Sequence, residues 1–270
     1  MKKYLRKLIP YSFIQFIRKT KCTIETFLYS GNDFECPLCK KQFRKLKDGG
    51  ESRSFFKDHK IIGGGRRKNM LCPSCLSTDR DRLIYFYLTT RKELPNKEVT
   101  LLHVSPEHSI KDYLTTFQNI NYYSGDKFEE RYQGFYYDKT TFSLDLTNLK
   151  FPDEYFDIII CNHVLEHIKE DQKALQEIKR VLKDEGWAIL QVPIACENEK
   201  TIEYQKMSSQ KRRSIYGQSD HMRLYGLDYP DRLRSNGFKV KEWRASDLLN
   251  GNQISKFALN NEEKVFIITK

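Results

Sequence analysis

The chain has 270 residues, 39% hydrophobic, 13% aromatic and 31% charged, a composition that excludes wholesale disorder and supplies one α/β domain of about 150–200 residues plus a smaller unit. No apolar run approaches the roughly 18–20 residues that cross a bilayer, and the basic start lacks the apolar stretch and small-residue cleavage site of a secretory leader, so we expect a cytoplasmic protein. The net charge of +11 is concentrated: residues 1–93 hold 22 Lys/Arg against 9 Asp/Glu and the rest 25 against 27, so the first third either attracts a polyanion, nucleic acid or an acidic membrane, or is a solvated basic face.

In residues 1–30, Lys2, Lys3, Arg6, Lys7, Arg18, Lys19 and Lys21 interleave with Leu5, Leu8, Ile9, Phe13, Phe16 and Ile17, with Pro10 between the two halves. Ile9, Phe13, Phe16 and Ile17 stand at i, i+4, i+7 and i+8, which predicts a basic amphipathic helical arm. The simplest use of its apolar stripe is packing on the protein's own core. The alternative is peripheral contact of residues 1–20 with the inner membrane surface.

Residues 31–93 hold two Cys-x-x-Cys pairs, Cys36-Pro-Leu-Cys39 and Cys72-Pro-Ser-Cys75. Each pair sets two thiolates on one tight turn, and two facing turns supply the four sulfurs of a closed tetrahedral zinc site. A disulfide framework does not suit a reducing compartment, and a redox dithiol needs one pair rather than two. The expectation is a structural zinc ribbon on Cys36, Cys39, Cys72 and Cys75. Between the pairs, Phe43, Phe55, Phe56 and Gly63-Gly64-Gly65 read as a short β excursion with a flexible loop, and Cys22, Cys161 and Cys196 as ordinary thiols. Ser77–Glu93 reads as a helix capped by Ser77 or Thr78, with Asp79 and Asp81 at its positive end, that docks the module on the larger domain.

From residue 94 the pattern alternates. Strands are expected at Glu98–Val104, Ile120–Gly125, Phe142–Leu146, Asp157–Asn162, Trp187–Val192, Phe238–Trp243 and Lys264–Thr269, with helices at Ser109–Phe117 and about Asp171–Leu182, the latter stopped by Gly186. Such alternation predicts a doubly wound, Rossmann-like sheet whose ligands gather at the carboxyl ends of its strands.

The stretch Phe151-Pro-Asp-Glu-Tyr-Phe-Asp157-Ile-Ile-Ile-Cys-Asn162-His-Val-Leu-Glu-His167, with Glu177, Arg180, Gly186 and Gln191-Val-Pro193 after it, resembles the central block of class I S-adenosylmethionine (SAM)-dependent methyltransferases of type 11. The resemblance covers roughly residues 98–270. It implies a seven-stranded sheet ending in an antiparallel hairpin, SAM as cofactor, Asp126 on the ribose hydroxyls and Asp145 on the adenine amino group. His103, Glu107 and Asn162 complete the cofactor set it implies. Where the family carries a glycine-rich first loop, this chain has Leu102-His103-Val104-Ser105-Pro106-Glu107-His108, and no glycine occurs between Val99 and Ser124. Two outcomes are open: a rearranged loop that still binds SAM, with Glu107 pairing its amino group, or a fold retained as a binding scaffold.

His163, Glu166 and His167 would share one helical face after the fourth strand, and His221 should reach the same cleft, as a candidate catalytic cluster or a second divalent-metal site. The arrangement also resembles the Glu-x-x-Glu-His…His metal site of some small-RNA 2′-O-methyltransferases, with His163 replacing the first carboxylate. Cys161-Asn162-His163-Val164 is not the Asn/Asp-Pro-Pro-Tyr/Phe motif of enzymes that methylate base nitrogens. The function expected is SAM-dependent O-methylation of a sugar, cell-surface glycan precursor or other small polar acceptor; the alternatives are RNA methylation guided by the zinc module and non-catalytic binding on a degenerate methyltransferase fold.

Overall fold

The structure is a computed structural model that describes residues 11–127 and 140–270. Helix α1 (Tyr11–Leu28) leads into β1 (Ser30–Glu35), β2 (Gln42–Phe43) and β3 (Lys47–Gly49), then the short helix α2 (Ser54–Asp58), β4 (Ile61–Ile62) and β5 (Arg67–Leu71). β1 pairs antiparallel with β2, and β3 with β5. The interval between the cysteine pairs is thus a β excursion, but it also holds α2. Its glycines, read from sequence as flexible, are held in place: Arg67 donates to the carbonyls of Gly64 and Gly65, both at 3.1 Å, and Arg80 to that of Gly63 at 3.0 Å.

Helix α3 (Asp79–Thr89) is shorter than the expected Ser77–Glu93. Thr78 is its cap, accepting from the Asp81 amide while the Asp81 carboxylate accepts from the Thr78 amide, and this reciprocal pair fixes the first turn. The chain then breaks and re-forms as α4 (Glu93–Asn96) before β6 (Val99–Val104), α5 (His108–Leu114), β7 (Ile120–Asp126), β8 (Thr141–Ser143), β9 (Phe156–Asn162), α6 (Asp171–Val181) and β10 (Leu182–Gln191). β11 (Ile194–Ala195), α7 (Ser209–Ile215), α8 (Tyr229–Ser235), β12 (Lys239–Arg244), α9 (Gly251–Lys256) and β13 (Lys264–Thr269) come next. Gly186 does not separate helix from strand as expected. Strand β10 begins at Leu182, and its register against β9 shifts between Leu182 and Trp187.

The seven-stranded sheet runs β12-β13-β10-β9-β6-β7-β8, with β13 antiparallel to both neighbours and the β10 to β8 pairs parallel. Alternation along each strand divides the core. Leu102, Ile159, Cys161 and Leu190 face α6 and α8, while Leu101, Ile158, Ile160 and Ile189 face α3 and α5. Helix α3 therefore belongs to the sheet's own core rather than only linking a module to it.

Arg82 secures that junction. It is fully buried, and its guanidinium donates to five backbone carbonyls, those of Asn69, Met70, Ser77, Phe257 and Ala258, at 2.8–3.1 Å. The second tie is β4, which pairs antiparallel with β11 just beyond β10. The excursion between the cysteine pairs is thereby fastened beside the carboxyl end of the sheet.

Helix α1 departs from the simplest expectation. Phe13, Phe16 and Ile17 are exposed, so the stripe does not pack on the core; Ile9, the fourth residue of that stripe, lies outside the described residues.

Candidate active site and four-cysteine centre

The two Cys-x-x-Cys turns are built alike. In each, the residue after the second cysteine, Lys40 or Leu76, takes a left-handed φ of 59° or 60° and donates its amide to the carbonyl of the first cysteine, at 2.8 and 3.0 Å. The sulfurs of Cys36 and Cys75 lie 3.6 Å apart and those of Cys39 and Cys72 3.7 Å. Four thiolates about 2.3 Å from a tetrahedral zinc stand about 3.8 Å from one another, so the donor set fits that metal. Ser77 Oγ, 3.3 Å from Cys36 Sγ and 3.2 Å from Cys75 Sγ, adds a hydroxyl against two of the sulfurs.

On the cofactor side, β6 ends at Val104, and Ser105 turns the chain with φ of 50°. A glycine usually makes such a left-handed turn; in this chain a serine makes it, its amide held by the Gly125 carbonyl at 2.8 Å. Ser105 Oγ donates to Asp126 at 3.1 Å, at the end of β7. His103 is fully buried, with Nδ1 2.8 Å from the Tyr122 hydroxyl and Nε2 2.8 Å from Glu107 Oε2. Both its ring nitrogens are engaged, so it steadies Glu107 instead of facing the cleft. Asn162, at the end of β9, donates to Glu107 at 3.4 Å while its own Oδ1 is buried without a partner among the described residues. An orphaned acceptor beside Glu107 and Asp126, at the carboxyl ends of adjacent strands, is what a polar cofactor bearing ammonium and hydroxyl groups would satisfy. Asp145 sits on an exposed turn and accepts from the Thr147 amide and hydroxyl at 2.8 and 2.7 Å; these bonds hold its carboxyl below the usual range.

The catalytic candidates converge, although not on a helix. His163 takes a left-handed φ of 54°, a conformation that costs a non-glycine residue about 1–2 kcal/mol, and its amide is anchored to the Gln191 carbonyl at 2.7 Å. A single 3₁₀ turn, Leu165–His167, comes after it. It places His163 Nδ1 3.5 Å from Glu166 Oε1, and His221 arrives from the segment before α8 with its ring centroid 4.7 Å from that of His167. One oxygen of Glu166 and one nitrogen each of His167 and His221 lie within 4.8 Å of one another. His163 Nε2, Glu166 Oε2 and His221 Nδ1 are buried without hydrogen-bond partners among the described residues. Burial pushes the His163 imidazole down to about 4 and lowers that of His221, so both are neutral near pH 7.

These residues floor a cavity of about 210 Å³ whose opposite wall is the excursion between the cysteine pairs: Phe55, Phe56, Ile61, Gly63, Gly64 and Gly65. The contact is close. A Cβ on Gly63, whose φ is +77°, would come within 3.1 Å of His163 Cε1 and 3.3 Å of Glu263 Oε1.

Sequence reasoning missed three parts of this site. Arg67 and Arg80 hold the glycine wall. Glu263, 2% exposed and with Oε1 unpartnered among the described residues, is pushed up to about 7 by burial. Arg223, fully buried, donates to the carbonyls of Leu165, Ile168 and Lys169 at 2.9, 2.5 and 2.8 Å and so fixes the His221 segment against the turn that carries Glu166. The one signal in the sequence was the run of three glycines; nothing marks an arginine as buried.

A strand order with β13 inserted antiparallel and a polar cluster at the end of β9 decides the architecture. The fold is that of SAM-dependent methyltransferases. Residues 120–190 match the family model described as a methyltransferase domain. A 43-residue stretch is 44% identical to the uncharacterized methyltransferase YcgJ of Bacillus subtilis (strain 168), spanning 16% of this chain and 17% of that protein. The crystal structure of YcgJ superposes with a TM-score of 0.41 at 14% identity, covering 68% of this chain and 94% of the other. A SAM-dependent methyltransferase from Archaeoglobus fulgidus gives 0.44 at 14% identity, covering 68% and 90%. A complex of the Haloferax volcanii Trm112 methyltransferase activator with its methyltransferase gives 0.43 at 14%, covering 71% and 92%.

Proposed function

We propose that the chain is a SAM-dependent methyltransferase acting on an oxygen of a small polar acceptor, such as a sugar or glycan precursor, held in the cavity between the β9 end and the cysteine module. The observation that carries this reading is the pair of neutral imidazoles on the cavity floor, each with a buried nitrogen that has no partner among the described residues. An alcohol must lose its proton as it takes up a methyl group, and a neutral histidine within hydrogen-bond reach accepts it. Glu166, surrounded by His163, His167 and His221, stabilises the imidazolium that results.

SAM, when bound, supplies an electrophilic methyl on a sulfonium. Asp126, Glu107 and Asn162 would hold its polar ends, and Asp145 would reach its base with the oxygen not committed to Thr147. Zinc on Cys36, Cys39, Cys72 and Cys75 has no open position and serves to fold the wall of the acceptor cavity. The convergence of Glu166, His167 and His221 favours a second reading of the cluster, a divalent cation bound there. A cavity of about 210 Å³ suits part of a small acceptor better than an extended nucleic acid.

The test is methyl transfer from labelled SAM to a panel of sugars and sugar nucleotides, with structured RNA in parallel. His163→Ala and His221→Ala should each retain SAM binding and lose about 10²–10⁴ in transfer. Label on RNA alone, or full activity in both variants, overturns the reading.

A further inference from the structure

Helix α1 is amphipathic in the inverted sense. Phe13, Phe16, Ile17, Ile24, Phe27 and Leu28 form one stripe at helical spacing, each at least half exposed and Phe27 83% exposed. The opposite side, with Cys22, Glu25 and Thr26, is the partly buried one. Its orientation is pinned: the Glu25 side chain, 16% exposed, accepts from Lys47 Nζ of β3 at 2.6 Å. A helix turned to bury its apolar residues would have to break that pair. Six large apolar side chains along one edge of a helix also exceed the scattered exposure normal for a soluble surface.

Charge identifies what covers them. Lys19 and Lys21, both exposed, flank the stripe, and Arg44 and Lys45 stand exposed at its carboxyl end, where the Arg44 amide meets the Tyr29 carbonyl at 2.9 Å and Lys45 Nζ lies 5.5 Å from the Tyr29 ring. Lys2, Lys3, Arg6 and Lys7 precede the helix in the sequence. A second copy of the helix packed on the stripe would bring these cations against their own kind, and Thr20, in the middle of the stripe, would interrupt the seam. A phosphate-bearing lipid surface accepts both features, with the apolar edge entering the acyl boundary and the lysines and arginines meeting the headgroups.

We propose that α1 lies in the plane of an anionic membrane and holds the protein there reversibly. The helix joins the chain through the same cysteine module that walls the acceptor cavity.

The test uses the full chain in vesicle cosedimentation, comparing phosphatidylglycerol-containing with pure phosphatidylcholine vesicles at low and high salt. Binding to the anionic vesicles only, weakened by salt, is expected. Lys19→Gln and Lys21→Gln should each weaken it about fivefold, and Phe16→Ser with Phe27→Ser should abolish it while circular dichroism and zinc content stay at wild-type values. The absence of vesicle binding, equal binding to both vesicle types, or unchanged binding by the double phenylalanine variant overturns the proposal. So does a dimer in light scattering that the phenylalanine variant dissociates without any vesicle binding by the wild type.

Discussion

Arg223→Met should expose how far the His221 segment depends on one buried cation. The side chain is fully buried and bonds three carbonyls of the 165–169 turn, with Glu203 at 2.8 Å and Asp171 at 3.5 Å as its anionic partners. Both carboxylates keep a second partner in Arg232, which meets Asp171 at 2.6 Å and Glu203 at 3.1 Å, so the substitution leaves no buried charge unpaired. The Ile168 and Lys169 carbonyls lose their donor, while that of Leu165 keeps the Ile168 amide at 3.2 Å. At about 1–3 kcal/mol for each buried polar group left unsatisfied, with the methionine filling most of the space, the loss is about 2–6 kcal/mol, a large share of the roughly 5–15 kcal/mol that holds a domain together. Differential scanning calorimetry should show Tm lowered by about 4–24 °C, and transfer activity should fall further than stability alone explains because His221 is released from Glu166. Arg223→Lys, which retains a point donor, should fall between the two. A Tm within about 2 °C of wild type for Arg223→Met would refute the clamp.

Removing zinc with a chelator, or through Cys36→Ser with Cys72→Ser, should collapse amide-exchange protection across residues 55–71 while the strands Val99–Val104 and Phe156–Asn162 stay protected; stoichiometric zinc in the double variant would contradict the assignment. Glu263 gives a pH signature. Its folded-state value of about 7 lies above the ordinary 4.5, so the folded chain binds the proton more tightly and stability falls as pH rises from about 4.5 through about 7, by roughly 3 kcal/mol. Urea unfolding of Glu263→Gln should lack this decline and exceed wild type at pH 8; parallel pH curves would contradict it. Gly63→Ala forces a side chain into a left-handed position against His163, and should lower transfer activity with SAM affinity changed less than threefold in calorimetry; unchanged transfer would mean that the glycine wall does not border the reacting site.

What the sequence disclosed depended on how local each signal was. The Ile run of β9 and the strand–helix alternation depend on nearest neighbours, so the seven strands were legible with ends shifted by a few residues at most, apart from β10, whose start precedes Gly186. Cys36, Cys39, Cys72 and Cys75 were legible because two tight turns impose a fixed spacing. His163, Glu166 and His167 were found through strand position, yet a helix was expected where a left-handed residue and one 3₁₀ turn stand, since backbone strain leaves no mark in composition. The roles of Arg82, Arg223 and Glu263 depend on carbonyls and walls brought from up to 176 residues away. The inversion of α1 was hidden for the same reason: periodicity fixes that a stripe exists, whereas a distant Lys47 decides which way it faces.

Calorimetric titration of SAM into the purified full chain decides whether this fold takes its cofactor. We expect saturable binding at one site per chain, weakened at least tenfold by Asp126→Ala and left within about threefold of wild type by His221→Ala. Absence of SAM binding by a folded, zinc-loaded wild type would contradict it, and would make the glycine-less turn at Ser105 the mark of a fold that no longer takes the cofactor.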